Sequence, residues 1–565
     1  MIARAIAAVF GVIVFLAGCS QTAPFRTSVT TSISSACESQ YESARREHRV
    51  IDEHLSDLQN KCFESFREHT GDYDLFFVEF DDQGWLANRD QLLALTKCLN
   101  YLIQSDQPDG KPCEPVDDAI PVSNDRQPLS IIVYVHGWHH SAAPNDQDVK
   151  NFRKLLHNAS LVESDLCAIK RNKIQNTSVS KLESACVDGG HVDFPWQKKR
   201  RVVGIYVGWR GDSAFPGVPL LNLGSVWDRK LAAEKVAHGA VQELFAMLHD
   251  FYLKHQCHLA EVLPGNKKAV SVGGRGKKNC ADVRMLTMGH SFGGLVTYRA
   301  LTTRLMTGVA ETFRQNQSSK DLPYAYSFGD LTVLVNPAFE GTRFEPLAEA
   351  ALNRKYQSGD EHEAHRTAQL PILIVATSEG DWVTHWTFPI FRFFTTLFES
   401  TRDQTQNSAN LNTVGWTDRY QTHKLSCGDG PSLCANPPAK TFEEIPPKAL
   451  MEAINEERAW YEAKRHDSCL RVFNNKSLDL ADGLRLTKVE PDPARPDRPE
   501  YMPLWVVQAD ANIIHDHNDF LSWNFTNFLR QIYYVILGEE DAVMVRVLDD
   551  SPKSDKPSIL DCLSG

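Results

Sequence analysis

The stretch Gly289-His290-Ser291-Phe292-Gly293 sets a hydroxyl between glycines where the apolar run Val283–Met288 gives way to helical spacing. This is the Gly-x-Ser-x-Gly pattern of a nucleophile held on a strand-to-helix turn, where side chains two residues to either side would collide with the neighbouring strand or helix. A serine hydroxyl is a poor nucleophile at neutral pH and needs a base within hydrogen-bond reach. That base, once protonated, needs a carboxylate to orient and stabilise it. Past the apolar run Ile372–Ala376 come Thr377-Ser378-Glu379-Gly380-Asp381, which offers Asp381 as the carboxylate and Glu379 as its alternative. Glu340 is a third choice, although Asn336-Pro337 just before it reads as turn chemistry. Two histidines, His515 and His517, follow the last apolar run Leu504–Gln508, and His517 is preferred because it directly precedes Asn518-Asp519 and a final helical pattern.

Those residues need elements to position them. From residue 74 onward short apolar runs alternate with longer helical patterns. Leu75–Phe80, Ile131–Val135, Val202–Val207, Val283–Met288, Leu331–Val335, Ile372–Ala376 and Leu504–Gln508 read as strands. Arg89–Ile103, Val149–His157, Lys230–Tyr252, Gly293–Met306 and Phe520–Leu537 read as helices. Regular alternation of this kind predicts an α/β fold with a mostly parallel sheet covered by helices on both faces. Polar, cysteine-bearing insertions are expected at about 159–199, 210–228, 256–281 and 385–502. The last opens with Phe391-Arg392-Phe393-Phe394 and Leu397-Phe398, whose apolar face suits either a cap over a pocket or a helix packed on the core.

The order Ser291, Asp381, His517, with the strand–Gly-His-Ser-Phe-Gly-Gly–helix segment as its most specific part, resembles the α/β-hydrolase superfamily, in its serine esterase and lipase branch. The resemblance covers most of residues 74–540. It implies an acyl-enzyme mechanism acting on esters, lipid-like or acyl esters above all, with no cofactor. It also implies that His136-Gly137, just after the strand Ile131–Val135, opens an oxyanion turn. By position its donors are the backbone N–H groups of Trp138 and Phe292, with His136 holding the loop. Trp209 and Arg210, past another strand, stand where they can line the pocket or brace a loop.

The first residues have their own logic. Arg4 precedes an apolar run from Ala5 to Ala17, too short for a comfortable bilayer span but right for a signal h-region. It ends in Leu16-Ala17-Gly18-Cys19, which resembles the bacterial lipobox, and Ser20 after the cysteine implies outer-membrane sorting. The expected organisation is a lipoprotein signal peptide over 1–18, a tether and N-terminal helix over 19–70, and one α/β domain over 71–565 with a cap-like insertion at 385–502. In the N-terminal helix Ile51, Leu55, Leu58, Cys62 and Phe66 share a side that would pack on the body. The expected location is the bacterial cell envelope, anchored by lipid on Cys19 and facing the periplasm or the surface. Besides Cys19 the chain has twelve cysteines, an even number. Cys37 and Cys62, Cys98 and Cys113, Cys167 and Cys186, Cys257 and Cys280, and Cys427 and Cys434 lie close in sequence, as disulfides of an exported protein would, with connectivity left open.

Charge excludes one class. With a net charge of −12 the chain lacks the basic face that nucleic-acid binding requires. Its one basic cluster, Gly273-Gly274-Arg275-Gly276-Lys277-Lys278, lacks the Lys-Ser/Thr ending of a phosphate-binding loop. Two rival readings remain. His136, His139 and His140, with His515, His517 and Asp519, have the ligand chemistry of a metal hydrolase. A catalytically silent binding lipoprotein on the same fold is the other. Neither accounts for the serine turn as economically as a Ser-His-Asp arrangement does.

Overall fold

The run Leu129–Val135 is buried along its whole length, which is why it is apolar on both faces, with Ser130 alone polar, rather than alternating. Leu129, Ile131, Val133 and Val135 enter one core, and Ile132 and Tyr134 enter a second core on the opposite face. That division is repeated across the sheet and defines the fold. The computed structural model describes residues 65–104, 126–175, 199–211, 219–255, 283–316, 327–353, 371–428, 447–465, 477–490 and 503–548, with 24–26, 28–29, 113, 281, 434–435 and 437. The signal run, Cys19, the stripe Ile51–Cys62 and the basic cluster 273–278 lie outside the described residues.

In chain order the strands are β1 (Arg67–His69), β2 (Tyr73–Phe80), β3 (Leu129–Val135), β4 (Arg201–Trp209), β5 (Arg284–His290), β6 (Leu331–Val335), β7 (Leu373–Ser378), β8 (His423–Cys427), β9 (Ser477–Asp479), β10 (Leu484–Lys488) and β11 (Leu504–Ala509). The helices are α1 (Arg89–Leu102), α2 (Gln147–Gln175), α3 (Pro219–His238), α4 (Val241–His255), α5 (Phe292–Asn316), α6 (Glu345–Asn353), α7 (Phe388–Thr395), α8 (Gln404–Leu411), α9 (Pro447–Arg465) and α10 (Trp523–Leu548). All the strands join one sheet of order β1-β2-β4-β3-β5-β6-β7-β11-β8-β10-β9. From β2 to β8 every neighbouring pair is parallel, while β1, β10 and β9 add antiparallel edges. The fold is therefore α/β.

Helices cover both faces. Leu295, Val296 and Leu301 of α5 enter the first core, whereas Phe152 and Leu156 of α2 and Phe525 and Phe528 of α10 enter the second. The chain leaves β3 for β4 on one flank and then crosses β3 to reach β5 on the other. Such a reversal opens a crevice beyond the carboxyl ends of the two strands, the usual ligand position in an open parallel sheet. His136-Gly137 and Ser291 stand at those two ends.

Three expectations need correction. The single helix read over Lys230–Tyr252 is two, α3 and α4, parted at Gly239-Ala240, where the Ala240 N–H donates to Gly84 O at 2.7 Å. A turn from far upstream occupies the break. Parts of two insertions are helical, since α2 runs on to Gln175 and α3 begins at Pro219. The third correction concerns 385–502, which is not a separate cap. Its β8 pairs with β11, and β10 and β9 follow, while α9 packs Leu450 and Ile454 against Tyr534 and Val535 of α10. Cys98–Cys113 and Cys427–Cys434 are disulfide-bonded; the other cysteine side chains lie outside the described residues.

Candidate active site

Ser291 is the hinge between β5 and α5, and its φ of 55° puts a non-glycine residue in the left-handed region. Such a conformation costs on the order of 1–2 kcal/mol and persists only where the surroundings enforce it. Here the Ser291 N–H donates to Val335 O at 3.0 Å, and Ser291 O accepts from Ala338 N–H at 3.1 Å. The flanking glycines are required by space. A Cβ on Gly289 would lie 2.6 Å from Thr297 Oγ1, and one on Gly293 would lie 2.1 Å from Val135 O.

The buried Ser291 hydroxyl faces His517, with Oγ 2.8 Å from Nε2. On the other side of the ring Nδ1 is 2.9 Å from Asp381 Oδ2. Asp381 is fully buried and begins the π-helical turn Val383–Thr387. Its Oδ1 accepts the N–H groups of Val383 and Thr384 at 2.9 and 3.1 Å, and its Oδ2 accepts the Thr384 hydroxyl at 2.5 Å. Trp416 Nε1 donates in turn to Thr384 Oγ1 at 3.2 Å. Burial works to raise the Asp381 carboxyl, but His517 beside it and the donors from His517 and Thr384 prevail and hold it below the ordinary carboxylate range. It is an anion throughout the neutral range, as an orienter of imidazolium must be.

The alternatives point elsewhere. Glu379 is solvent-exposed, with Lys424 Nζ 3.7 Å away. Glu340 is buried in an ion cluster with Lys230, Arg343 and Arg392. His515 pairs with Asp519 on the surface.

Two neighbours that sequence reasoning passes over hold the His517 loop. His290 Nε2–H donates to His517 O at 2.7 Å. Burial, with His517 close by, holds the His290 imidazole well below its usual range, hence neutral. Asn336, another left-handed residue, donates from Nδ2 to His517 O at 3.0 Å and accepts the Ser378 N–H at 2.9 Å. One amide thus ties the histidine loop to the strand that precedes Asp381. The signal was present, because Asn336-Pro337 stands directly after an apolar strand, but a side chain bridging two distant loops cannot be read from a local pattern.

The His136-Gly137-Trp138 turn runs against the serine, since a Cβ on Gly137 would come 2.9 Å from Ser291 Cβ. His136 accepts the Trp209 N–H at Nε2 (3.0 Å) and stacks on the Trp209 ring at 5.5 Å. Burial lowers the His136 imidazole to about 4, which keeps it neutral. Trp209 also donates from Nε1 to His136 O at 2.9 Å, so it braces the turn, while Arg210 pairs with Asp82. Phe292 opens α5, and the first N–H groups of a helix have no intrahelical acceptor. The ligand chemistry of the two histidine clusters is dispersed. His140 lies between Asp146 and Asp148 at 3.0 and 3.4 Å, and among the described residues no three such side chains converge as ligands would. Comparison with family models, curated proteins and solved structures gives no match to this chain.

Proposed function

We propose that this chain is a serine hydrolase of the α/β-hydrolase type that cleaves carboxylic esters, held at the bacterial envelope by lipid on Cys19. The observation that carries the reading is the hydrogen-bonded series Ser291–His517–Asp381, at 2.8 and 2.9 Å, on a left-handed serine at the crevice of a parallel sheet. His517 takes the Ser291 proton at Nε2 as Oγ attacks the ester carbonyl. Asp381 keeps the Nδ1–H tautomer and stabilises the imidazolium. The N–H groups of Trp138 and Phe292 receive the developing oxyanion, a kind of contact whose loss costs roughly 3–4 kcal/mol in kcat terms elsewhere. His517 then returns its proton to the leaving alkoxide, giving an alcohol and an acyl-Ser291. Water, deprotonated by His517, attacks that acyl group and releases the acid. No cofactor enters the scheme. The anchor and the apolar surface beyond Asp381 favour lipid-like or acyl esters over polar ones.

Fluorophosphonate labelling of the purified protein, located by peptide mass spectrometry, tests the reading. An adduct on Ser291 that is missing in Ser291→Ala and His517→Ala is the expected result, together with ester turnover that follows the adduct. A folded protein that takes no label at Ser291 overturns it.

A further inference from the structure

The segment leaving Asp381 presents an apolar face to the outside. Trp382, Trp386, Ile390, Phe393, Phe394, Leu397 and Phe398 are all exposed, Phe398 at 97 %. Spaced by three and four, they run from Trp382, just before the π-helical turn, along α7 to Leu397 and Phe398 just past its end. Between Asp381 and Glu399 the only formally charged side chain is Arg392. It is turned inward, with Nη1 3.2 Å from Glu340 and Nε donating to Asn410 O at 3.1 Å. Glu340 is itself buried, and Lys230 and Arg343 complete the cluster beneath the helix. A solvated helix turns its charges out and its apolar stripe in. This one does the reverse, and aromatic side chains dominate the exposed face, as they do on helices that lie in the plane of a membrane interface.

The start of the described chain indicates what covers that face. The N–H groups of Phe25 and Arg26 donate to the Glu79 carboxylate at 3.1 and 2.7 Å. Arg26 Nε donates to Ala142 O at 3.0 Å. Glu79 is the penultimate residue of β2, so Phe25 stands at the carboxyl edge of the sheet, the edge that carries Ser291 and the segment leading into α7. Cys19 is six residues before Phe25, an extended reach of about 20 Å. A diacylglycerol on Cys19 can therefore hold this edge against a bilayer.

We propose that the outer face of Trp382–Phe398 docks on the phospholipid bilayer that holds the Cys19 lipid, so that Ser291 draws its ester from that bilayer. The proposal rests on the reading of the chain as a lipid-anchored hydrolase, and its test keeps the two apart. The full-length lipoprotein is reconstituted in phosphatidylcholine vesicles with and without brominated phosphatidylcholine, alongside a Phe393→Ser/Phe394→Ser/Phe398→Ser variant. Trp382→Phe/Trp386→Phe identifies the share of emission that belongs to those two indoles. Docking predicts that the brominated lipid quenches this share in the parent and that most of the quenching is lost in the triple variant. Turnover of a vesicle-borne ester should fall with it, while turnover of a short water-soluble ester stays unchanged. Fluorophosphonate labelling of Ser291 is followed in the same samples. No quenching in a parent that labels at Ser291 overturns docking and leaves the hydrolase reading standing. Quenching without labelling upholds docking and removes the hydrolase. A parent that sediments as a dimer in detergent, with a monomeric variant and no quenching, assigns the face to a second copy and also overturns the proposal. The parent's own quenching stays decisive should the variant melt early.

Discussion

Each link of the series from Ser291 to Asp381 can be cut alone. Asp381→Asn keeps the shape but allows the wrong tautomer of His517, and turnover should fall by about 10⁴, the loss seen when a buried triad aspartate is so replaced. Glu379→Ala and His515→Ala, which alter exposed groups, should stay within about twofold, the scale of ordinary surface changes. Equal losses at Asp381 and Glu379 in a steady-state assay would sink the assignment of the carboxylate. Thr384 tests a subtler point, because its hydroxyl shares Asp381 Oδ2 with the His517 ring. Hydrogen bonds to charged groups are worth roughly 1.5–3 kcal/mol, so Thr384→Val should lower kcat/KM by about ten- to a hundredfold. Removing a donor that helps depress the carboxyl lets it rise. The titration of Asp381 itself, followed by carboxyl NMR, should therefore move to higher pH in Thr384→Val. A loss of rate with an unmoved Asp381 titration would make Thr384 a packing residue only.

At the scale of elements the site depends on how closely two turns approach. Gly137→Ala would set a methyl 2.9 Å from Ser291 Cβ and 3.0 Å from His290 Nδ1, so the turn carrying the Trp138 N–H must retreat. A displacement approaching ~1 Å costs about 10² in rate, and kcat should fall while thermal melting stays cooperative; an unchanged kcat would remove this turn from the reaction. Much of this frame is legible in the sequence. Chain order points to Ser291, Asp381 and His517 because each stands just past a buried strand, and strands buried on both faces announce themselves as continuous apolar runs. Where burial is partial the signal fades. In β8, His423-Lys424-Leu425-Ser426-Cys427, only His423 and Leu425 are buried, so a strand that extends the central sheet reads as loop. The break between α3 and α4 is equally silent, since the turn at Gly84 that enters it lies far away in sequence. His290 and Asn336 escape for the same reason: their partners are brought to them only by the fold.

The whole molecule sets the pH range in which these turns keep their places. Burial holds the imidazoles of His136, His249 and His255 at about 4, and holds that of His290 well below its ordinary value. In the unfolded chain each takes a proton near its ordinary value, so each favours the folded state above that value and withdraws support as the pH falls. Asp148 and Asp482 act in the opposite sense. Burial raises them to about 6 and about 8, so they destabilise the fold at alkaline pH and cease to do so once protonated. Above the histidine range Asp482 is changing, and stability should rise as the pH comes down from about 8. Below it four imidazoles withdraw support while the carboxyls that burial raises, Glu79, Asp330 and Asp519 as well as Asp148 and Asp482, oppose them, so the curve should flatten. The descent comes under pH 4, where Glu68, Asp74 and Glu340 come into play. Burial works to raise them too, but their cationic partners hold all three at about 2, so their support is complete above the ordinary carboxylate range and is lost as the pH falls through 2. Urea unfolding against pH should therefore give a curve that rises as the pH comes down from about 8 and falls at the acid end. Asp482→Asn should remove the rise just below pH 8 and steepen the curve towards acid, because from there down to the ordinary carboxylate range the folded carboxyl holds a proton that the unfolded one does not. A variant curve parallel to the parent's between pH 7 and 9 would show that Asp482 is already neutralised by its buried neighbours, and the alkaline limb would have to come from another group.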